Sequence, residues 1–318
     1  MKAKKSLKYS LVLCGGGARG LVHVGFLCAL EEAGYPLPSL IAGTSMGAII
    51  GGLFASGMNG QELRRYVMEE LDISNFMESS VFKMDGPVGK LFQTGQIISH
   101  AATRPGVDSG EKVLRILERL SKNKNIEDCE IPFFCNAVDL CAGQEVIIRS
   151  GPIARAIRAS MSFPLVFKPV VDGERCLVDG GVADNMPVKS AWEAGRELGI
   201  RRILAVDSRR WRKIPPNSLK NGLGVVMRCF DAMIHVSETT GSELAKPSLL
   251  IRASDKTSVF DFSRKRELME LGEAAAVQSK AELDAFFGTG FKGAFSRRKK
   301  TTCGIEMEGY YKAQMTKL

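Results

Sequence analysis

Long apolar runs are missing from this chain of 318 residues. The longest of them, such as residues 48–55, fall well short of the roughly 20 residues that a bilayer-spanning helix needs, which argues against a transmembrane protein. The apolar run after the basic start, Leu11 to Cys14, is also too short for the core of a signal peptide. We therefore expect a cytoplasmic protein built around one large domain.

Closely spaced cysteine pairs are lacking as well. The eight cysteines contain no C-x-x-C pair and no dense framework, and at least four fall in segments with the pattern of strands or helices. Secreted proteins that are held together by disulfides usually have densely spaced cysteines, so we expect free thiols in a reducing compartment.

Excess positive charge is confined to the two ends of the chain. Four lysines before Tyr9 contribute +4 and residues 286–318 contribute +5, which together equal the formal net charge of +9. The balanced body argues against a nucleic-acid groove, and we expect no nucleic-acid partner. The basic ends could contact an anionic membrane surface peripherally, on its inner face, but a solvated tail that aids solubility explains them equally well.

The order of predicted elements indicates an α/β fold. A strand at 8–14, a helix at 21–33, a strand at 40–42 and a helix at 48–56 follow one another with short connections. This order predicts a mainly parallel central sheet in a three-layer α/β/α sandwich. Further strands are predicted at 131–138, 145–149, 176–178, 202–206 and 249–252, and a last helix at 264–287. Beyond it the composition changes, which predicts a catalytic domain at 1–287 and a basic C-terminal tail at 288–318, mobile or loosely docked.

The segment Gly43-Thr44-Ser45-Met46-Gly47 has the Gly-x-Ser-x-Gly pattern between a strand and a helix. In that context Gly43 and Gly47 permit the sharp turn that exposes Ser45 as a nucleophile at the carboxyl edge of the sheet. The backbone N–H of Met46 would face the oxyanion at a helix N-terminus. The pentapeptide alone is a weak signal, and its position makes it informative.

The glycine-rich loop from Gly15 to Gly20 also satisfies G-x-G-x-x-G, so dinucleotide binding has to be considered. That function requires a carboxylate at the end of the next strand, but this strand ends in Ala42-Gly43 and leads to a serine. We therefore favour an oxyanion-binding or substrate-binding loop. Its predicted members are Gly15, Gly16, Gly17, Arg19 and Gly20. Arg19 would add positive charge or brace the loop, and a structural salt bridge is an equal alternative.

Histidine is scarce, with only three in the chain, and none lies in a motif that would make it the base of a serine hydrolase. This leaves Asp179, which follows the strand Cys176-Leu177-Val178 and precedes Gly180 and Gly181. An isolated Asp-Gly-Gly is usually only a turn. Beside the other two motifs, we interpret Asp179 as the general base for Ser45.

The three motifs together resemble the patatin-like phospholipase family in its small bacterial-type form. Residues 159–164 and 185–188 agree with this resemblance, which covers about residues 8–206. It implies a dyad of Ser45 and Asp179 that cleaves acyl esters of lipids without a metal or other cofactor. The substrate would be a lipid or another acyl ester.

Two points stay open in the sequence. An acyltransferase or thioesterase with the same dyad, and a non-catalytic lipid-binding or regulatory module, are alternatives to a lipid acyl hydrolase, and the oligomeric state is not predicted. In addition, an apolar stripe on the long helix predicted at 219–244 could form an acyl-chain groove with residues 73–95, although core packing is the more common role of such stripes. The stripe consists of Val226, Phe230, Met233 and Ile234.

Overall fold

The computed structural model describes residues 7–72, 76–77, 105–209, 211, 213–219, 222–240, 247–288 and 301–306. Strands are numbered along these residues as β1 Ser10–Leu13, β2 Leu40–Gly43, β3 Phe133–Asp139, β4 Gln144–Ile148, β5 Val170–Asp172, β6 Arg175–Asp179, β7 Ile203–Asp207, β8 Leu249–Ser254 and β9 Thr301–Glu306. Helices are α1 Val22–Glu32, α2 Met46–Ala55, α3 Gly60–Glu69, α4 Glu111–Leu120, α5 Ile153–Ser160, α6 Val188–Glu197, α7 Gly222–Thr240, α8 Lys265–Gln278 and α9 Lys280–Phe287.

All the described strands belong to one sheet, in the order β5-β6-β3-β2-β1-β7-β8-β9, with β4 beside β3. The pairings from β3 through β9 along this order are parallel, whereas β4 and β6 run antiparallel to β3. The central strands β1 and β2 are buried along their whole length, as expected for parallel strands covered on both faces. The predicted mainly parallel sheet is confirmed.

Helices and apolar cores lie on both faces of the sheet. Leu11 and Leu13 of β1 belong to the larger core, which includes side chains of α1, α2 and α8. Val12, between them in sequence, points to the other face and packs in a smaller core with Val188 and Ala191 of α6. Successive side chains of one buried strand therefore pack against helices on opposite faces of the sheet, which confirms the predicted α/β/α arrangement.

The inner edge of β3 is shared by two strands that meet end to end. Cys135 pairs with Gly43 of β2 on one side and with β4 on the other, while Ala137 pairs with Asp179 of β6 and with β4. Since β4 occupies one edge of β3, β2 and β6 must both lie along the opposite edge. Their carboxyl ends, at Gly43 and Asp179, approach each other two β3 residues apart.

Helices α1 and α8 approach each other closely enough for their backbones to touch. A Cβ at Gly25 of α1 would overlap the carbonyl oxygen of Met269, and a Cβ at Gly272 of α8 would overlap that of Val22. The two glycines are therefore required by packing and not by backbone torsion. This contact holds α1, and with it the end of the glycine-rich loop, against the larger core.

Three features differ from the sequence prediction. β5 was not predicted, because three residues between Pro169 and Gly173 give no strand periodicity. The single helix predicted at 264–287 is wrong: the backbone bends at Ser279 (φ −92°, ψ 18°), and α9 then carries Phe286 and Phe287 onto the ring of Tyr9. Finally, part of the predicted tail forms β9, which pairs with β8 and so covers an edge that would otherwise be open. The domain boundary itself stays a prediction.

Within the described ranges, no helix is both long enough and apolar enough to cross a bilayer. The cysteines whose side chains the structure describes are free thiols.

Candidate active site

Ser45 lies in a strained turn between β2 and α2. Its backbone has φ 52° and ψ −118°, a combination that non-glycine residues rarely adopt. Gly43 and Gly47 make the turn possible, because a Cβ on Gly43 would overlap the Gly47 carbonyl and one on Gly47 would overlap that of Leu13. The sequence thus forms the strand–turn–helix elbow that the Gly-x-Ser-x-Gly motif predicts.

The hydroxyl of Ser45 lies near the carboxylate of Asp179 and favours its ionised form. Asp179 ends β6 and is only 2% exposed. Its Oδ1 accepts the N–H of Gly181 at 2.8 Å. Burial raises the pKa of the Asp179 carboxyl to about 6, although the Ser45 hydroxyl and the Gly181 N–H both favour the ionised form. A buried carboxylate beside a hydroxyl is the arrangement that a general base requires.

The C-terminal end of α5 holds both of these residues. The Ser160 hydroxyl accepts the backbone N–H of Ser45 at 3.0 Å, and the Ser162 carbonyl accepts that of Asp179 at 3.0 Å. Arg158, itself buried, donates to the Ser162 hydroxyl at 2.6 Å. Sequence reasoning assigned no role to these residues, although residues 159–164 were part of the family resemblance.

A polar network lies beneath the elbow. The Thr44 hydroxyl donates to Asn136 Oδ1 at 2.7 Å, and Asn136 Nδ2 donates to the Asp184 carbonyl at 2.7 Å and to Glu145 Oε1 at 2.8 Å. Gly180 packs directly on Asn136, where a Cβ would overlap the amide oxygen. The network therefore ties the turn after β2 to the turn after β6 through β3.

The glycine-rich loop offers fewer free N–H groups than the sequence suggested. Gly15 donates its N–H to the Asn185 carbonyl at 3.0 Å, so this group is already engaged. The N–H groups of Gly16, Gly17 and Met46 have no acceptor among the described residues. Gly16 and Gly17 also line the cavity that contains Ser45. They are the better candidates for binding an oxyanion.

Close packing also requires glycine at two positions of the predicted loop. Gly17 has φ +55°, and a Cβ there would overlap the Val259 carbonyl. Gly20 lies against the Met46 side chain, which occupies the space a Cβ would need. Asn185 was not predicted as a site residue, yet its amide oxygen is the nearest atom to the space a Cβ would need on both Gly15 and Gly181. It therefore links the loop to the turn after Asp179.

Arg19 lines the same cavity as Ser45. Its Nε is buried and has no hydrogen-bond partner among the described residues. Burial lowers the pKa of the guanidinium, while Asp231, Asp255 and Asp207 at longer range favour its charged form. The position is consistent with the predicted positive charge near the loop.

The two histidines that the structure describes have partners outside the proposed dyad. His23 is completely buried, and its Nε2 lies 2.9 Å from the Cys14 carbonyl. Burial lowers its pKa to about 4, which keeps the ring neutral at physiological pH. His235 stacks on Trp211 with ring centroids 4.3 Å apart. His100 lies outside the described residues. In the described part of the chain, no group of three or more His, Cys, Asp or Glu could hold a metal ion.

An apolar cavity of about 260 Å³ opens onto the dyad. Ser45, Asp179, Gly16 and Gly17 lie in its wall, and the rest of the lining is mostly aliphatic or aromatic. Among the apolar residues are Met46, Ile49, Leu53, Leu63, Val67, Val113, Leu117, Met161, Phe163, Phe167 and Val259. The larger core and the site are therefore continuous.

The predicted acyl-chain stripe is divided between two environments. Phe230 and Ile234 line the cavity, whereas Val226 and Met233 are exposed. Most of residues 73–95 lie outside the described ranges, but Phe76 and Met77 contribute to the cavity wall. The stripe is therefore not fully buried in the core, and its four residues do not form a groove together.

Comparisons with known proteins identify the family to which the chain belongs. A sequence model of the patatin-like phospholipase family matches residues 11–192. Lysophospholipase NTE1 of Kluyveromyces lactis is 34% identical over 197 residues, which make up 62% of this chain and 12% of that protein. Patatin-like phospholipase domain-containing protein 6 of Homo sapiens is 32% identical over 200 residues, or 62% of this chain and 13% of that protein. The chain thus spans only a small fraction of these curated relatives.

Among solved structures, VipD from Legionella pneumophila aligns with a TM-score of 0.49 and 17% identity, over 89% of this chain and 68% of that one. The family match covers more than half of the chain and contains both Ser45 and Asp179. The chain therefore belongs to the patatin-like phospholipase family.

Proposed function

We propose that this protein is a lipid acyl hydrolase in which Ser45 is the nucleophile and Asp179 the general base. The observation that carries the proposal is that Ser45 and the buried carboxylate of Asp179 lie together in the wall of one apolar cavity, where the hydroxyl favours the ionised carboxylate. A cavity with this lining suits a hydrocarbon chain, while the dyad at its wall suits an ester bond.

In the first half-reaction Asp179 accepts the hydroxyl proton as Ser45 Oγ attacks the acyl carbonyl carbon. The negative charge that develops on the carbonyl oxygen is stabilised by the N–H groups of Gly16 and Gly17. As the tetrahedral intermediate collapses, the bond to the alcohol oxygen breaks and Asp179 returns its proton to that oxygen. The alcohol leaves, and the acyl group stays on Ser45.

In the second half-reaction a water molecule replaces the alcohol. Asp179 takes a proton from this water as its oxygen attacks the acyl-enzyme, and the same N–H groups stabilise the second oxyanion. The bond to Ser45 Oγ then breaks, and the proton returns to the serine. The products are a fatty acid and the free enzyme.

Single-chain lipids are the substrates that we propose. The relatives from Kluyveromyces lactis and Cryptococcus neoformans are named as lysophospholipases, and the match to the family model includes both proposed catalytic residues. We therefore expect faster release of fatty acid from lysophosphatidylcholine than from the diacyl lipid.

The assignment of Ser45 is tested by active-site labelling and product analysis. A fluorophosphonate probe should label the wild-type protein on Ser45, and this protein should release fatty acid from lysophosphatidylcholine micelles. Ser45→Ala should lose both properties, whereas Ser150→Ala, at an exposed serine, should keep them. Folded wild-type protein that neither reacts with the probe nor releases fatty acid would contradict the proposal.

The pH dependence of kcat/KM should report the ionisation of Asp179. Because burial raises its pKa to about 6, the carboxyl is protonated below that pH and cannot accept the serine proton. We expect kcat/KM to fall to half near pH 6, to drop about tenfold per pH unit below it, and to be constant above pH 7. A soluble p-nitrophenyl ester measured from pH 4.5 to 8 gives this profile. Activity that stays constant down to pH 4.5 would exclude a base with a raised pKa.

A further inference from the structure

Three helices line one part of the cavity, and each contributes a single stripe of side chains. On every one of them the lining residues recur three or four positions apart, which places them on one face of the helix. The stripes therefore face a common space, which we call the three-helix channel. They consist of Met46, Ile49, Ile50 and Leu53 on α2, Leu63, Tyr66 and Val67 on α3, and Val113, Ile116, Leu117 and Leu120 on α4.

The stripe on α2 begins beside the proposed nucleophile. Ser45 immediately precedes α2, so the stripe leads away from its hydroxyl along the helix. Met46 and Ile49 near the start are half-buried, whereas Ile50 and Leu53 are 3% and 1% exposed. At the helical rise per residue, Leu53 lies roughly 12 Å from Ser45 along the helix axis. The channel therefore becomes more enclosed with distance from the reacting groups.

Helix α4 runs in the same direction as α2. Just before α4 begins, the carbonyl of Ser109 accepts a hydrogen bond at 2.8 Å from Arg158, which also donates to the Ser162 hydroxyl next to the dyad. Just after α4 ends, Lys124 Nζ donates to the carbonyl of Ser56, at the C-terminal end of α2, at 2.9 Å. Both helices therefore start near the dyad and finish at the same distant end of the channel.

Tyr66 and Leu120 lie at that distant end. Both also line a second cleft, whose other residues include the exposed charged side chains of Arg65, Glu70 and Arg119. Arg119 and Glu70 form an ion pair there at 2.8 Å. Tyr66 and Leu120 thus form an end wall between an apolar channel and a polar surface. A hydrocarbon chain that passed the end wall would gain no further apolar contacts.

The part of the cavity near α7 has a different character. Phe230 and Ile234 are half-buried there, and Arg19 and Asp231 place charged side chains in the wall. Within the part of the chain that the structure describes, no charged side chain of α2, α3 or α4 lines the cavity. The polar and the hydrocarbon parts of a lipid would therefore find suitable surroundings in different parts of the same cavity.

We propose that the three-helix channel binds the acyl chain of the ester that is cleaved at Ser45, and that the end wall of Tyr66 and Leu120 sets the longest chain accepted. This proposal rests on the function proposed above. The methylenes extend from Ser45 along α2 and α4, and the alcohol part of the lipid lies toward Arg19 and α7. Each added methylene raises kcat/KM about fourfold until the chain reaches the end wall, and further methylenes add nothing.

Chain-length profiles of two variants test the proposal. The value of kcat/KM is measured for p-nitrophenyl esters from butanoate to hexadecanoate. Ile116→Trp fills the middle of the channel, and it should lower the ratio of the dodecanoate to the butanoate value about 15-fold, which corresponds to two lost methylenes. Leu120→Ala recesses the end wall, and it should move the point at which kcat/KM stops rising to longer chains. Aggregation of the long esters affects all proteins alike and cancels in these comparisons.

Leu114→Ala is the matched control for Leu120→Ala. Leu114 is also a half-buried leucine of α4, but it does not line the cavity. Its chain-length profile should equal that of the wild type. Circular dichroism shows whether each variant is folded.

A covalent complex of the wild type gives the direction of the chain without any substitution. With ethyl dodecylphosphonofluoridate, Ser45 Oγ forms a bond to phosphorus, fluoride leaves, and Asp179 accepts the hydroxyl proton. In the crystal structure of this complex, the alkyl chain should lie between α2 and α4 and point toward Tyr66.

Two results would overturn the assignment of the channel. One is an alkyl chain that leaves Ser45 along α7. The other is a chain-length profile that is the same in the wild type, folded Ile116→Trp and folded Leu120→Ala. Failure of the proposed function would be recognised differently, because the wild type would then hydrolyse none of the esters and would not react with the phosphonofluoridate at Ser45.

Discussion

Replacing Asp179 with asparagine should lower kcat by about 10³-fold to 10⁴-fold and, at the same time, stabilise the protein at neutral pH. Activity is lost because an amide cannot accept the proton of Ser45. Burial raises the pKa of this carboxyl from 3.8 to about 6, so its ionisation destabilises the folded protein relative to the unfolded chain. The asparagine variant is more stable because it carries no charge at this buried position. A shift of about two units corresponds to roughly 3 kcal/mol, which asparagine would not incur.

The sign of this effect can be checked by measuring urea unfolding at several pH values. Between pH 4 and pH 6 the folded protein binds more protons at Asp179 than the unfolded chain does, so its free energy of unfolding decreases as the pH rises. The stability gap between Asp179→Asn and the wild type should therefore be near zero at pH 4 and complete above pH 7. Ser45→Ala is the control, since it is inactive but retains the carboxylate. Because it loses the hydroxyl that favours the ionised form, its free energy of unfolding should decrease with rising pH at least as much as that of the wild type. A variant at Asp179 with wild-type turnover would refute the proposed base.

The sequence predicted the local conformations around the dyad, but not the contacts that hold it in place. The turn at Ser45 follows from glycine spacing between an apolar strand and a helix, which is local information. That Gly15 donates its N–H to Asn185 depends on how two distant turns approach each other. The hydrogen bond from the Ser45 N–H to the Ser160 hydroxyl likewise joins two elements that are far apart in sequence. The motifs predicted the loop, but only the folded structure shows which of its N–H groups donate hydrogen bonds within the protein and which do not.

Gly25→Ala should produce a large loss of stability, about 3 kcal/mol in the free energy of unfolding. The new methyl group would overlap the Met269 carbonyl of α8, and that atom belongs to a helix backbone, which cannot rotate away. The separation of α1 and α8 would have to increase, at the expense of buried contacts along both helices. Alanine is otherwise the better helix former, which offsets the loss by about 1 kcal/mol at most.

The control for this prediction is Gly222→Ala at the start of α7, where a Cβ would meet no atom within 4 Å. It should change the free energy of unfolding by no more than about 0.5 kcal/mol. Chemical unfolding followed by circular dichroism measures both variants. If Gly25→Ala is as stable as the wild type, the close approach of α1 and α8 is not a feature of the protein in solution.

The fold was predictable where periodicity is strong and connections are short. The alternation of strands and helices up to residue 55 gave the parallel core of the sheet, and the buried strand at 133–139 was evident from its apolar run. The bend at Ser279 and β9 were missed because each depends on a partner that is distant in sequence: the ring of Tyr9 for α9, and β8 for β9. The three-residue β5 was missed for another reason, since its partner β6 follows after two residues but three residues are too few to show a strand period.

The end-to-end meeting of β2 and β6 along one edge of β3 also bears on how such an enzyme can evolve. The spacing between the proposed nucleophile and the proposed base is set by the ladder positions of Cys135 and Ala137 on β3, and not by any loop. Segments that contact substrate can therefore lengthen, shorten or change in composition while the reacting groups keep their distance. New lipid preferences can arise on this scaffold without the chemistry being assembled again.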